Sequence, residues 1–101
     1  MPKEADNPMA GVDPFARRLI TQYLGRRKAD IDLLRKAVSV GDFELIRVAG
    51  HNMSGSGSAY GLDQISEVGA ALEKAALAGD SAGIGKLIDQ LDGILSSVRM
   101  T

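Results

Sequence analysis

Apolar residues recur along this chain with helical spacing, and strand-like alternation extends over no useful length. Spacings of three and four residues place side chains on one face of an α-helix. The clearest stripe lies near the C-terminus and consists of Ile84, Leu87, Ile88, Leu91, Ile94, Leu95 and Val98. A stripe of this width is typical of a helix with one face in a core. The pattern predicts an all-α protein.

The first helix is predicted to run from a cap at Asp13 to about Val40. Aspartate accepts hydrogen bonds from the first free N–H groups of a helix, and Pro14 suits its first turn. An interior glycine, Gly25, could instead split this helix, although the apolar register continues across it. The positions expected to face the core are Phe15, Leu19, Tyr23, Leu24, Ile31, Leu34 and Val38.

Two Gly-Asp pairs, Gly41–Asp42 and Gly79–Asp80, predict tight turns between helices. Glycine ends a helix in the left-handed conformation, and the following aspartate caps the next helix. The remaining helices are then expected over Asp42 towards Gly57, about Leu62 to Ala78, and about Ser81 to Arg99. Short turns favour an antiparallel four-helix bundle over residues 13–101, preceded by a flexible N-terminal tail at 1–12.

Composition narrows the function classes. The 101 residues carry a formal net charge of −1, which gives no electrostatic reason to expect nucleic acid or a membrane surface as a partner. There is no cysteine and one histidine, so no common zinc site and no bound metal is expected. No apolar stretch is long enough to span a bilayer, and a cytoplasmic location is the default expectation.

The single histidine, His51, opens the stretch "HNMSGSGSAYG". At about 100° per residue, it points away from the apolar side of the second helix, which is formed by Ile46, Ala49, Gly50 and Met53. The residues that share its face are Glu44, Arg47, Ser54, Gly55 and Ser58. Because Gly55 and Ser58 are small, they are predicted to leave the ring open to a docking partner. The alternative is an ordinary polar surface histidine.

The segment "AGHNMSGSGSAYGLDQISEVGAALEKAALAGD" resembles the histidine-containing phosphotransfer (HPt) domain family. The matching positions are His51, Gly55, Ser56, Gly57, Gly61, Leu72, Glu73, Gly79 and Asp80. The flanking helices also fit, so the resemblance covers nearly all of the chain after Gly11. It implies a four-helix bundle whose exposed histidine carries a phosphoryl group between aspartates of receiver domains, or accepts one from a kinase.

The resemblance also implies roles for neighbouring residues. Glu73 matches the position whose side chain contacts the second ring nitrogen, which would leave Nε2 as the nucleophile. The family usually has lysine three residues after the histidine, where this chain has Ser54. Helical geometry suggests that Arg47, one turn before His51, supplies the missing charge. The alternative is that Arg47 is only a solvated surface residue.

The resemblance, together with the exposed His51, predicts a histidine phosphotransfer protein of two-component phosphorelays. The expected partners are receiver domains of response regulators or of hybrid histidine kinases, and the receiver is expected to supply Mg²⁺. No nucleotide-binding segment is present with which the chain could phosphorylate itself, so a carrier without autokinase activity is expected. The alternative is a helical adaptor that binds a receiver or another signalling partner through the same face without accepting phosphate.

Overall fold

The computed structural model describes residues 13–98, which form four α-helices and one short 3-10 turn. The elements are α1 (Pro14–Val40), α2 (Phe43–Ser56), the turn Ser58–Tyr60, α3 (Asp63–Leu77) and α4 (Ser81–Ser97). Within this range there is no β-strand, and the predicted all-α antiparallel four-helix bundle is confirmed. Helix α1 is continuous across Gly25. The predicted tail at 1–12 and the predicted helix end at Arg99 lie outside the described residues.

The helix ends follow from capping chemistry. The Asp13 carboxylate accepts hydrogen bonds from the backbone N–H groups of Phe15 and Ala16, and Asp42 and Asp80 cap α2 and α4 in the same way. Gly41 and Gly79 have φ of 72° and 65°, the left-handed conformation that glycine adopts readily. The two predicted Gly-Asp turns are therefore confirmed.

All four helices contribute to one apolar core. The side chains that are completely buried include Leu34, Ile46, Leu72, Ile84 and Leu91. The prediction was wrong at the start of α1, because Phe15 and Leu19 remain 69% and 40% exposed. Helix α1 has 27 residues against 14 to 17 in the others. The first buried residue of α1 is Ile20, so its first turns lie beyond the core.

Helices α2 and α3 meet most closely at two glycines. A Cβ atom added at Gly50 would lie 2.6 Å from the Gly69 carbonyl oxygen and 2.7 Å from the Glu73 backbone nitrogen. One added at Gly69 would lie 2.6 Å from the Ser54 backbone nitrogen. These distances are shorter than side-chain atoms tolerate, so the approach depends on both residues being glycine. It places His51, which follows Gly50, beside the helix turn that carries Glu73.

Candidate functional site

His51 lies on the exposed face of α2, and 69% of its side chain is accessible to solvent. Ile46, Gly50 and Met53, on the opposite side of the helix, are buried. The orientation agrees with the helical angle read from the sequence. An imidazole held on a helix in this way can meet a large partner without any rearrangement of the core.

Glu73 of α3 contacts the histidine ring. Its two carboxylate oxygens, Oε2 and Oε1, lie 3.2 and 3.4 Å from His51 Nδ1. A proton on Nδ1 would be donated to this carboxylate, which favours the tautomer whose Nε2 carries the lone pair. Only 27% of the Glu73 side chain is exposed, and its position is set by the close approach of α2 and α3. The contact implied by the family resemblance is therefore present, while its part in catalysis remains a prediction.

Arg47 is engaged with Glu44, one turn closer to the start of α2. Its Nε donates to Glu44 Oε2 over 3.0 Å, and a terminal guanidinium nitrogen donates to Oε1. These hydrogen bonds lower the pKa of the Glu44 carboxyl group and raise the pKa of the Arg47 guanidinium. Within residues 13–98, the side-chain hydrogen bonds of Arg47 are with Glu44, and none is with the ring of His51. The compensation of the missing lysine by Arg47 stays a prediction.

Two positions that follow His51 on α2 differ in their surroundings. Ser54 is half-buried, and its backbone nitrogen lies close to Gly69 of α3. Gly55 is exposed, and a Cβ added there would meet no atom within 4 Å. The backbone therefore does not require glycine at position 55. Gly55 is exposed as predicted, while its part in a docking surface stays a prediction.

Ser58, which the sequence assigned to the face of His51, lies just beyond the end of α2. The helix ends at Ser56, and Ser58 begins the 3-10 turn. Its backbone N–H donates to Ser66 Oγ over 2.7 Å, and its hydroxyl contacts the same oxygen. Ser58 is exposed, so its place in a docking surface is still open to test.

Sequence reasoning missed the residues that fix the end of α2. The Tyr23 hydroxyl lies 2.7 Å from Ser56 Oγ, and the Tyr23 ring stacks on Tyr60 with 4.4 Å between ring centroids. Ser66 binds the turn from the side of α3. Tyr23 stood in the apolar stripe of α1, which predicted burial but gave no signal for its polar contact. Nothing in the sequence around Ser66 indicates that its hydroxyl would bind the turn.

Two further findings concern the described part of the chain. Residues 13–98 contain no cluster of three or more histidine, aspartate or glutamate side chains that could hold a metal ion. None of the four helices in this range combines the length and apolar character needed to cross a membrane. The carboxylates of Asp89 and Asp92 on α4 form ion pairs with Arg35 of α1.

The fold and the site together define a class: a helical bundle that presents an exposed histidine in contact with a carboxylate of the neighbouring helix. The model of the Hpt domain family matches residues 18–101, and the chain belongs to that family. No curated protein and no solved structure matches it. Membership assigns the chain to phosphotransfer in two-component signalling, where Hpt domains interact with receiver domains.

Proposed function

We propose that this chain relays a phosphoryl group between His51 and the aspartate of receiver domains. The observation that carries the proposal is the exposed His51 ring, whose Nδ1 lies 3.2 Å from a Glu73 oxygen. The ring is 69% exposed, and a proton on Nδ1 donated to Glu73 would leave the lone pair on Nε2. The family match supports the same chemistry, because phosphotransfer in this family takes place on a histidine.

The transfer balances without a separate base. Nε2 of neutral His51 attacks the phosphorus of a receiver phosphoaspartate in line with the leaving oxygen. The Nε2–P bond forms as the bond between phosphorus and the aspartate oxygen breaks, and the aspartate departs as a carboxylate. The Nδ1 proton stays on the ring, which becomes positively charged. The Glu73 carboxylate accepts a hydrogen bond from that proton and stabilises the developing charge.

The phosphoryl oxygens also need neutralisation during transfer. The described residues offer no acidic cluster for a cation. We propose that the receiver supplies the Mg²⁺, bound beside its phosphorylatable aspartate, in the docked complex. Gly55 and Ser58 are proposed to belong to the surface on which the receiver docks. We also propose the cytoplasm as the compartment in which the chain acts, a prediction from the sequence.

Phosphoramidate, a small donor that needs no docking, tests the site itself. It should label the chain once, at His51, with a product that is labile in acid and stable in base. His51→Gln should remove the label completely and leave the melting temperature nearly unchanged, because the ring is outside the core. Mapping by mass spectrometry checks the position. Label of the same chemical type in His51→Gln would contradict the assignment.

A phosphate-independent adaptor is the second candidate. Ser54 favours it, because the lysine that usually supports the phosphorylated state is absent. An adaptor would bind a receiver with the same affinity in the wild-type chain and in His51→Gln, and neither phosphoramidate nor a phosphorylated receiver would label it. Labelling of His51 would show that the chain accepts phosphate and is not only an adaptor.

A further inference from the structure

Charge around His51 is unevenly balanced. Three charged groups lie on the His51 side of α2 and on α3: Glu73 contacts the ring, and Arg47, one turn before His51, binds Glu44. The formal sum of these three groups is −1, from two negative charges and one positive charge. A phosphoryl group on Nε2 would add further negative charge to this cluster. A cation that can reach the phosphoryl oxygens would therefore stabilise the phosphorylated state most.

The direction of Arg47 follows from helix geometry. Helical side chains lean towards the N-terminus of their helix, over the preceding turn. Arg47 leans onto Glu44 in this way and binds it through two nitrogens. A lysine at position 54 would lean back towards His51, whereas an arginine at position 47 leans away from it. The carboxylate of Glu44 reinforces this direction.

Arg47 nevertheless remains within electrostatic reach of the site. Glu73, the carboxylate bonded to the His51 ring, adds to the forces that raise the pKa of Arg47. Arg47 also lies one turn before His51 on the same helix, a spacing at which long side chains can meet. Residue 47 thus has two anionic positions within one turn of it on α2, the Glu44 carboxylate that its guanidinium now binds and the site of the future phosphoryl group.

We infer that Glu44 is a positioning residue that competes with the phosphoryl group on His51 for the Arg47 guanidinium. In the unphosphorylated chain Glu44 holds the guanidinium one turn away from the ring. After phosphorylation the phosphoryl oxygens and Glu44 share it, so the phosphorylated state is stabilised less than a free arginine would allow. This inference rests on the proposed function and adds a residue that sets how firmly the phosphoryl group is held.

The acidity of the phosphoryl group reports the contact directly. Chains phosphorylated with phosphoramidate are titrated by ³¹P NMR, which follows the last proton of the phosphoryl group without any receiver. A guanidinium that contacts the oxygens favours the dianion and raises the acid dissociation constant. Glu44→Gln should raise this constant roughly two- to fivefold, the range of exposed ion pairs.

Two controls separate the contact from a general change of charge. Glu67→Gln removes the same charge from an exposed position of α3, for which the described residues show no ion pair or side-chain hydrogen bond, and should leave the constant unchanged. In an Arg47→Ala background, Glu44→Gln should lose most of its effect, because no guanidinium is left to release. Circular dichroism confirms that each variant is folded.

The outcomes distinguish the inference from the function on which it rests. An equal effect of Glu44→Gln with and without Arg47 would show that Glu44 acts through space alone and would overturn the inference. No effect of Glu44→Gln in a chain that is labelled at His51 would also overturn it, while the carrier function would stand. Failure of the wild-type chain to be labelled at His51 would instead remove the proposed function.

Discussion

At the scale of single residues, Glu73 and His51 make the contact on which the chemistry depends. Replacing Glu73 by alanine removes the acceptor at Nδ1, so the tautomer with the proton on Nε2 gains population and the nucleophile is lost in part. We expect Glu73→Ala to slow labelling by phosphoramidate roughly three- to tenfold, because this is the change in rate that corresponds to the free energy of one hydrogen bond. Glu73→Gln keeps an acceptor oxygen but lacks the charge that stabilises the cationic ring, so its rate should lie between those of Glu73→Ala and the wild-type chain.

Nitrogen NMR of the imidazole provides a readout that a purely structural role of Glu73 would not change. The ¹⁵N shifts should show less of the Nδ1–H tautomer in Glu73→Ala than in the wild-type chain and in Glu73→Gln. Equal tautomer populations and equal rates in all three proteins would assign Glu73 to the ordinary helix surface.

Gly55 tests the docking surface at the same scale. A Cβ atom at this position meets nothing within 4 Å, so Gly55→Ala should fold and gain up to about 1 kcal/mol. Gly55→Gln should also fold, but its side chain would stand between His51 and a receiver. We expect severe loss of labelling by a phosphorylated receiver and little loss with phosphoramidate. An equal loss with both donors would refute docking as the reason for glycine here.

The residue scale also shows where sequence reasoning stops. The helical angle placed His51 and Arg47 on one face of α2, and His51 is exposed as this angle predicts. The angle alone does not choose between neighbours one turn before and one turn after a residue, a choice that depends on the lean of helical side chains towards the N-terminus. The pairing of Arg47 with Glu44 was therefore not predicted, although both residues were assigned to the face.

At the scale of helices, the crossing of α2 and α3 fixes the distance between His51 and Glu73. Gly50→Ala would force a Cβ against backbone atoms at 2.6 and 2.7 Å, which cannot move without separating the helices. We expect a loss of about 1–3 kcal/mol in the free energy of unfolding, together with slower labelling of His51.

Gly93 offers a matched control within α4. It is an exposed helical glycine, and a Cβ there would meet nothing within 4 Å. Gly93→Ala should gain up to about 1 kcal/mol. Urea unfolding followed by circular dichroism compares the two variants. If Gly50→Ala were as stable as Gly93→Ala, close packing at Gly50 would not explain the site.

Helix boundaries were predicted well because local chemistry determines them. Gly41–Asp42 and Gly79–Asp80 combine a left-handed residue with a cap, and both signals lie in adjacent positions of the sequence. The crossing at Gly50 and Gly69 could not be read in this way. It joins residues of two helices whose relative position depends on the whole bundle.

At the scale of the whole molecule, the core and the site are separate. The buried cluster is apolar, whereas His51 lies outside it on the surface of α2. The spacing of apolar residues predicted most of this core. It was wrong at Phe15 and Leu19, because periodicity identifies a face of a helix but not how far its neighbours extend along it.

The most direct test of the carrier function uses a receiver domain phosphorylated on its aspartate by acetyl phosphate in the presence of Mg²⁺. After mixing, label should leave the receiver and reach His51 of the wild-type chain, as an acid-labile and base-stable product. His51→Gln, which keeps the fold, should receive none. Binding of this phosphorylated receiver without any transfer to His51, or transfer that persists in His51→Gln, would contradict the account.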